Sequence, residues 1–209
     1  MKHPGKSLIG MVLLIFGWQS YAADMERGAR DYKLCAGCHG FSGEGNELVG
    51  APSIAGQESW YVARQLKYFQ QRVRGSEDDD AKAQSMAMMS QALDNAGATT
   101  DLLAYISSLP LPELSSTEVR GDVSKGQALY APCAACHGPS AQGDESFQAP
   151  ALTGLSPWYQ ITQLKKFQNG QRGADVRDNF GRQMAPMVAV LPDDQAMSDV
   201  VAYISSVAD

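Results

Sequence analysis

An all-α fold of two tandem helical domains, related by an internal repeat, is predicted by three observations. The chain has 209 residues, which is enough for two compact units of roughly 100 residues each. Much of its second half repeats its first half at a constant offset of 98 positions, and such self-similarity indicates a structural repeat. Within each half, apolar residues recur at helical spacing, and the alternation typical of strands is scarce. The predicted domains cover residues 23–109 and 122–209.

The first 22 residues have the pattern of an export signal. Lys2 and Lys6 give a positive start, residues 8–16 form an apolar run, and small residues precede Ala22. The run is shorter than the roughly 20 residues that span a bilayer, so an uncleaved membrane anchor is the less favoured alternative. We expect cleavage after Ala22 or Ala23 and a periplasmic location.

Each half is predicted to contain three helices at matching places. A short helix precedes a cysteine motif, a middle helix follows it, and a last helix closes the half. In the first middle helix, Val62, Leu66 and Phe69 recur on one face, which predicts a buried stripe. The first two helices are predicted at about 25–35 and 58–73 in the first half, and at about 124–133 and from Ser156 onward in the second. The last helix is predicted to contain Leu102, Leu103, Ile106 and Leu109 in the first half, and Val200, Val201, Ile204 and Val207 in the second, where Pro192 suits its start.

Residues 110–121 are predicted to link the two domains. The segment begins with Pro110, Leu111 and Pro112, and proline cannot continue a helix because it lacks the backbone N–H and fixes φ. Because the linker is short, the two domains are expected to stay in contact or close to it.

The most specific pattern in the chain is the pentapeptide Cys-x-x-Cys-His, which occurs once in each half. Two thiols at this spacing can bond the two vinyl groups of one porphyrin, and the following imidazole can bind its iron. All four cysteines of the chain belong to these motifs, so the sequence predicts two covalently attached haem c groups. The motif residues are Cys35, Cys38 and His39 in the first half, and Cys133, Cys136 and His137 in the second.

The second axial ligand of each iron decides between an electron carrier and an enzyme with an open site. The chain has three histidines, and the one outside the motifs, His3, lies in the predicted signal. Methionine is therefore the remaining good candidate. Met86 and Met184 each lie 47 residues after the motif histidine of their half. Met89 and Met187 are the alternatives in the same two segments.

Other repeated residues suggest how the haems are held. The carbonyl groups of Pro52 and Pro150 are candidates to accept the second ring N–H of the motif histidines. Arg74 and Arg172 either pair with haem propionates or lie exposed at helix ends. The four acidic residues at 77–80 have no counterpart of similar charge density in the second half, and they are predicted to form a solvated loop.

With its paired motifs, its Pro-x-x-Ala-Gly-like turns ending at Gly56 and Gly154, and its late methionines, the chain resembles class I c-type cytochromes in tandem, most closely the cytochrome c4 family. The resemblance implies two small all-α haem domains related by a pseudo-twofold axis. It also implies that the first methionine of each segment, Met86 or Met184, is the axial ligand. The function it implies is a periplasmic dihaem carrier that passes electrons from a quinol-oxidising complex to a terminal haem-copper oxidase.

Charge limits the classes of partner. Without residues 1–22 the chain carries 15 basic and 23 acidic residues, which argues against nucleic acid and anionic lipid. We expect redox proteins instead: a quinol-cytochrome c reductase, a terminal oxidase or a dehydrogenase, with any peripheral membrane association running through them. The chain is expected to have no substrate chemistry of its own. The alternative function is a dedicated electron-accepting subunit of an oxidoreductase such as a thiosulfate, sulfide or alcohol dehydrogenase.

Overall fold

The computed structural model describes residues 22–93, 96–112 and 120–208, and within these ranges it consists of nine α-helices, two short 3-10 turns and two isolated backbone bridges. The all-α prediction is confirmed. Residues 1–21 of the predicted signal and residues 113–119 of the predicted linker lie outside the described residues. The helices are α1 (Met25–His39), α2 (Ser59–Gln70), α3 (Ala81–Ser90), α4 (Ala96–Ser108), α5 (Val123–Tyr130), α6 (Ala134–His137), α7 (Pro157–Gln168), α8 (Asn179–Met187) and α9 (Asp194–Ser206).

The two cysteine motifs sit on different local structures. The prediction that the first helix ends near Cys35 was wrong, because α1 continues through the motif to His39. In the second half the chain leaves the helix after Tyr130, and the short α6 begins at Ala134. Pro132 lies in this break, where the first half has Leu34. Because proline removes a helical hydrogen bond, it accounts for the interruption.

Helices α3 and α8 carry the two methionine segments, and neither was predicted. Each begins at an aspartate whose side chain accepts a backbone N–H of the first turn, a strongly preferred N-cap arrangement. Asp80 accepts from Ala83 at 3.1 Å, and Asp178 accepts from Gly181 at 2.8 Å. The N-cap residues are 98 positions apart, so the repeat extends to the way these helices start.

In each half the first helix crosses the last one at close range. At the crossings, a Cβ atom on Gly28 or Gly126 would overlap the carbonyl oxygen of Asp101 or Asp199, so both sites require glycine. The buried carboxylates of the two aspartates accept the backbone N–H groups of Asp24 and Asp122, each at 2.8 Å. The crossing therefore fixes where the first helix of each half, which leads into the cysteine motif, lies relative to the core.

Each half has its own apolar core. The first is built around Tyr32, Val62, Leu66, Leu102 and Ile106, and the second around Tyr130, Phe167, Met197, Val200 and Ile204. None of the helices in the described part of the chain is long and apolar enough to cross a bilayer.

Candidate functional site

Each cysteine-histidine motif lies beside the core of its half. Cys35, Cys38 and His39 are spaced three and four residues apart on α1, so they share one face of the helix. Both motif histidines are buried, with exposed fractions of 8 % for His39 and 7 % for His137. In each motif the first cysteine is half-buried and the second is exposed.

A proline carbonyl orients each motif imidazole. The Nδ1 atom of His39 lies 2.8 Å from the carbonyl oxygen of Pro52, and Nδ1 of His137 lies 2.8 Å from that of Pro150. A carbonyl can only accept, so Nδ1 carries the proton and Nε2 keeps a free lone pair for a metal. Burial lowers the pKa of both histidines, which favours the neutral ring that binds metal. The prediction for these two prolines is confirmed.

Two tyrosines hold the loop that follows each motif, and the sequence interpretation missed them. The hydroxyl of Tyr32 donates to the carbonyl oxygen of Gly40 at 2.7 Å, and the hydroxyl of Tyr130 donates to that of Gly138 at 2.7 Å. The signal was present, because the two tyrosines are also 98 positions apart and precede the motif histidine by seven residues.

A cavity opens beside each motif, and a methionine segment forms part of its wall. Met86 and Met89 line the first cavity with Cys35, Cys38 and His39, and Met184 and Met187 line the second with Cys133, Cys136 and His137. The two members of each segment differ in packing. Met86 and Met184 are half-buried against the cores, whereas Met89 and Met187 are 48 % and 39 % exposed. The fold thus brings all the predicted ligands of each half to one cavity.

The two cavities share a polar wall. Tyr61, Gln65, Tyr159 and Gln163 line both of them. The amide oxygen of Gln65 accepts from Arg74 at 2.6 Å and from Arg172 at 3.4 Å. The amide oxygen of Gln163 accepts from Arg74 at 3.2 Å and from Arg172 at 2.9 Å. Two arginines from different domains are therefore joined through two glutamines.

These arginines and Arg64, called the arginine cluster below, place excess positive charge at the shared wall. Among the described residues none of the three forms an ion pair with a carboxylate. Burial lowers the pKa of Arg74. Burial alone would raise the pKa of Tyr61, but the charges of Arg172 and Arg74 lower it. Arg74 is 7 % exposed, so of its two predicted alternatives the exposed helix-end position is excluded.

The residues of both cavities fit haem c. Each cavity combines two thiols, a free imidazole nitrogen and a thioether within a wall rich in apolar side chains. The Nε atoms of Arg64 and Arg172 are buried without a hydrogen-bond partner. Buried charges normally need a counter-charge, and haem propionates would supply carboxylates at this wall.

The acidic residues at 77–80 are not all solvated, contrary to the prediction. Asp80 is 6 % exposed, because it caps α3 and contacts the other domain. Its burial depends on how the two domains pack. The density of charged residues along the sequence does not predict that packing.

Comparisons with known proteins agree with this geometry. The Cytochrome c family profile matches residues 25–110 and 123–208. The thiosulfate dehydrogenase electron acceptor of Thiomonas intermedia is 36 % identical over 68 % of this chain, and the match spans 65 % of that relative, less than two thirds of its length. Cytochrome c-552 of Acidithiobacillus ferridurans is 30 % identical over 95 % of this chain and 86 % of the relative. The solved structure of Acidithiobacillus ferrooxidans cytochrome c4 is similar with a TM-score of 0.66 and 29 % identity, over 84 % of this chain and 99 % of that one.

Proposed function

The chain belongs to the cytochrome c family as a tandem dihaem member, and from that premise we propose that it carries single electrons in the periplasm between a quinol-oxidising complex, or a dehydrogenase, and a terminal haem-copper oxidase. It carries two covalently attached haem c groups and transfers electrons without substrate chemistry of its own. One observation carries the proposal: each domain places a motif imidazole and a half-buried methionine in the wall of the same cavity.

We assign the ligands symmetrically in the two domains. The two cysteines of each motif would form the thioether bonds to haem, and the motif histidine and the first methionine of each segment would bind its iron. When bound, haem supplies a one-electron couple, and ligation by a thioether together with an imidazole favours the reduced iron. The assigned residues are Cys35, Cys38, His39 and Met86 in the first domain, and Cys133, Cys136, His137 and Met184 in the second.

The surrounding residues restrict this chemistry to electron transfer. The carbonyl of Pro52 fixes the ring of His39, and the carbonyl of Pro150 does the same for His137. Both described histidines are used in this way, so neither is left to act as an acid or a base toward a substrate. Met86 and Met184, packed against the cores, would close the remaining coordination position against substrate.

Partner docking is proposed at the mouth of the cavities. At the first mouth, Leu34, Val49 and Met89 are exposed apolar residues, with exposed fractions of 57 %, 47 % and 48 %. Asp31 and Glu47 line the same cavity and add negative charge. A small apolar contact with a charged rim suits a short-lived redox complex, in which charge steers the encounter more than it strengthens it.

A second candidate function is an electron-accepting subunit of a thiosulfate dehydrogenase. It is favoured by the Thiomonas relative that bears that name and is 36 % identical. The carrier function is favoured by the likeness to cytochrome c4, which extends over 99 % of that chain. The two functions differ in the electron donor rather than in the haem sites.

Electron-transfer assays with the purified holoprotein separate the two functions. As a general carrier, the reduced protein should be oxidised by membranes that contain haem-copper oxidase, in a cyanide-sensitive reaction, and re-reduced by quinol-cytochrome c reductase. As a dedicated subunit, it should co-purify with a dehydrogenase and be reduced by thiosulfate only when that enzyme is present. Failure of both pairs of reactions, with two intact low-spin haems, would reject both functions.

A further inference from the structure

The two domains also meet beside the arginine cluster, at the start of a methionine-bearing helix. Lys166, on α7 of the second domain, forms an ion pair with Asp80 of the first, with 2.5 Å between Nζ and Oδ2. Their side chains are 15 % and 5 % exposed. The other carboxylate oxygen of Asp80 accepts the backbone N–H of Ala83 and caps α3. One carboxylate therefore starts the helix that holds Met86 and anchors it to the opposite domain.

The repeat has no such ion pair at the start of the other methionine-bearing helix. Position 68 on α2, the counterpart of Lys166, is Tyr68, and Asp178, which caps α8, is the counterpart of Asp80. Among the described residues Asp178 forms no ion pair with the opposite domain. Of the two methionine-bearing helices, α3 is therefore the one anchored by a charged contact.

This contact matters because α3 is short. The helix has 10 residues, and helices of this length depend on caps and tertiary contacts for their stability. Replacement of Lys166 by a neutral residue would leave the carboxylate of Asp80 buried without its counter-charge, which is strongly unfavourable. The Asp80 carboxylate would regain contact with water if the first turn of α3 opened, and α3 carries the methionine.

We propose that Lys166 is a positioning residue that holds α3, the methionine-bearing helix of the opposite domain, and thereby slows dissociation of that methionine from its iron. Ligation in one domain then depends on the packing of the other. The inference rests on the proposed methionine ligation, but not on the choice of methionine. Helix α3 contains both Met86 and Met89, and α8 contains both Met184 and Met187.

Displacement of methionine by external imidazole tests the proposal. In the oxidised holoprotein, the loss of the red-region sulfur-to-iron band after mixing with imidazole reports the opening of each methionine-iron bond. Lys166→Gln should accelerate one kinetic phase by about 5- to 150-fold, the range of typical coupling free energies between sites. The other phase should keep its wild-type rate, because α8 has no such ion pair at its start.

Two further variants separate positioning from general destabilisation. Lys165→Gln is the matched control, because the neighbouring Lys165 pairs with Asp194 of its own domain at an exposed site; both phases should keep their wild-type rates. Lys166→Arg retains the positive charge, so imidazole should displace methionine at close to the wild-type rate in both phases.

The proposal fails if Lys166→Gln changes neither phase, accelerates both phases equally, or behaves like Lys165→Gln. If Lys166→Gln yields no holoprotein, Asp80→Asn takes its place, because asparagine still caps a helix but lacks the charge; one accelerated phase again supports the proposal, and none overturns it. Absence of the sulfur-to-iron band from the wild-type protein would instead reject the methionine ligation.

Discussion

Single residues decide the chemistry of each haem site, and packing distinguishes residues that composition cannot. Each methionine segment offers two thioethers to the same cavity. In both domains the first thioether is half-buried against the core and the second lies toward solvent. A half-buried thioether that packs against the core loses less conformational freedom on binding a metal than an exposed one does, which supports the proposal that the first methionine is the ligand.

The methionine assignment predicts a distinct spectrum for each variant. Met86→Ala and Met184→Ala should each remove about half of the red-region sulfur-to-iron absorbance and lower one of the two midpoint potentials, because the thioether stabilises ferrous iron. A spectroelectrochemical titration measures both effects. Met89→Ala and Met187→Ala are the matched controls and should keep the full band. Loss of the band in a control variant, and not in its partner, would transfer the assignment to the second methionine.

The buried tyrosines make a second residue-scale prediction. Burial raises the pKa of Tyr32 to about 12, so its hydroxyl stays protonated and donates to the Gly40 carbonyl. Tyr32→Phe leaves that acceptor without its donor and should lower the free energy of unfolding by about 1 kcal/mol. Urea denaturation of the holoprotein measures the change. Tyr105→Phe is the control, since the ring of Tyr105 packs 5.3 Å from that of Tyr32, and should change stability less.

At the scale of helices, a buried apolar stripe makes α2 and α7 predictable from the sequence, whereas α3 has no such stripe and was missed. Helices α2 and α7 have apolar residues at regular spacing, and both lie close to their predicted positions. The sequence of α3 is mostly alanine, serine and methionine, which gives no apolar stripe. Its boundary is set by the Asp80 cap and by contact with the second domain. Long-range contacts of this kind are not visible in local periodicity.

The crossing of α5 and α9 predicts how stability depends on pH. The backbone N–H of Asp122 and the side chain of Gln195 donate to Asp199 and lower its pKa. A depressed folded-state pKa stabilises the fold above the unfolded pKa of about 3.9, and this stability is lost as the pH falls through the folded value. Urea titrations from pH 7 to about pH 2 should therefore show an acid-side loss of stability that is smaller in Asp199→Asn.

Asp194→Asn is the control for this helix crossing, because Asp194 is an exposed residue of α9 whose surface ion pair contributes little. Its acid-side stability profile should follow that of the wild type. A profile of Asp199→Asn that coincides with the wild type would show that other carboxylates dominate acid unfolding.

For the molecule as a whole, the repeat is symmetric in the haem sites and asymmetric at the surface. At the wall shared by the cavities, Arg74 and Arg172 are equivalent positions of the repeat, and so are Gln65 and Gln163. Hydrogen bonds from the arginines to Gln163 join them, so both domains contribute equivalent residues. The first cavity, however, is also lined by Asp31, Glu47 and Asp79 and by one exposed lysine, Lys82, whereas the acidic residue that lines the second cavity, Asp178, is buried. Equivalent haem sites with unequal charge at the cavity mouths would let charged partners distinguish the two haems.

Small charged oxidants isolate this effect of charge from the fit of a protein partner. The chain without its predicted signal has an excess of acidic residues, so oxidation of the reduced protein by a hexaammine metal cation should slow as ionic strength rises. Oxidation by ferricyanide should become faster, because salt screens repulsion as well as attraction. Stopped-flow rates between about 0.01 and 0.5 M ionic strength measure both trends.

The acidic residues Asp31 and Glu47 at the first cavity make the same experiment specific to one haem. A double variant, Asp31→Asn with Glu47→Gln, should weaken the salt dependence of one oxidation phase and leave the other close to wild type, because both carboxylates line the first cavity alone. Glu26→Gln is the control, since Glu26 is 93 % exposed on α1 and lines neither cavity. An equal change in both phases would mean that the net charge of the protein, rather than Asp31 and Glu47, steers the oxidant. The proposed docking at the mouth of the first cavity would then lose its electrostatic basis.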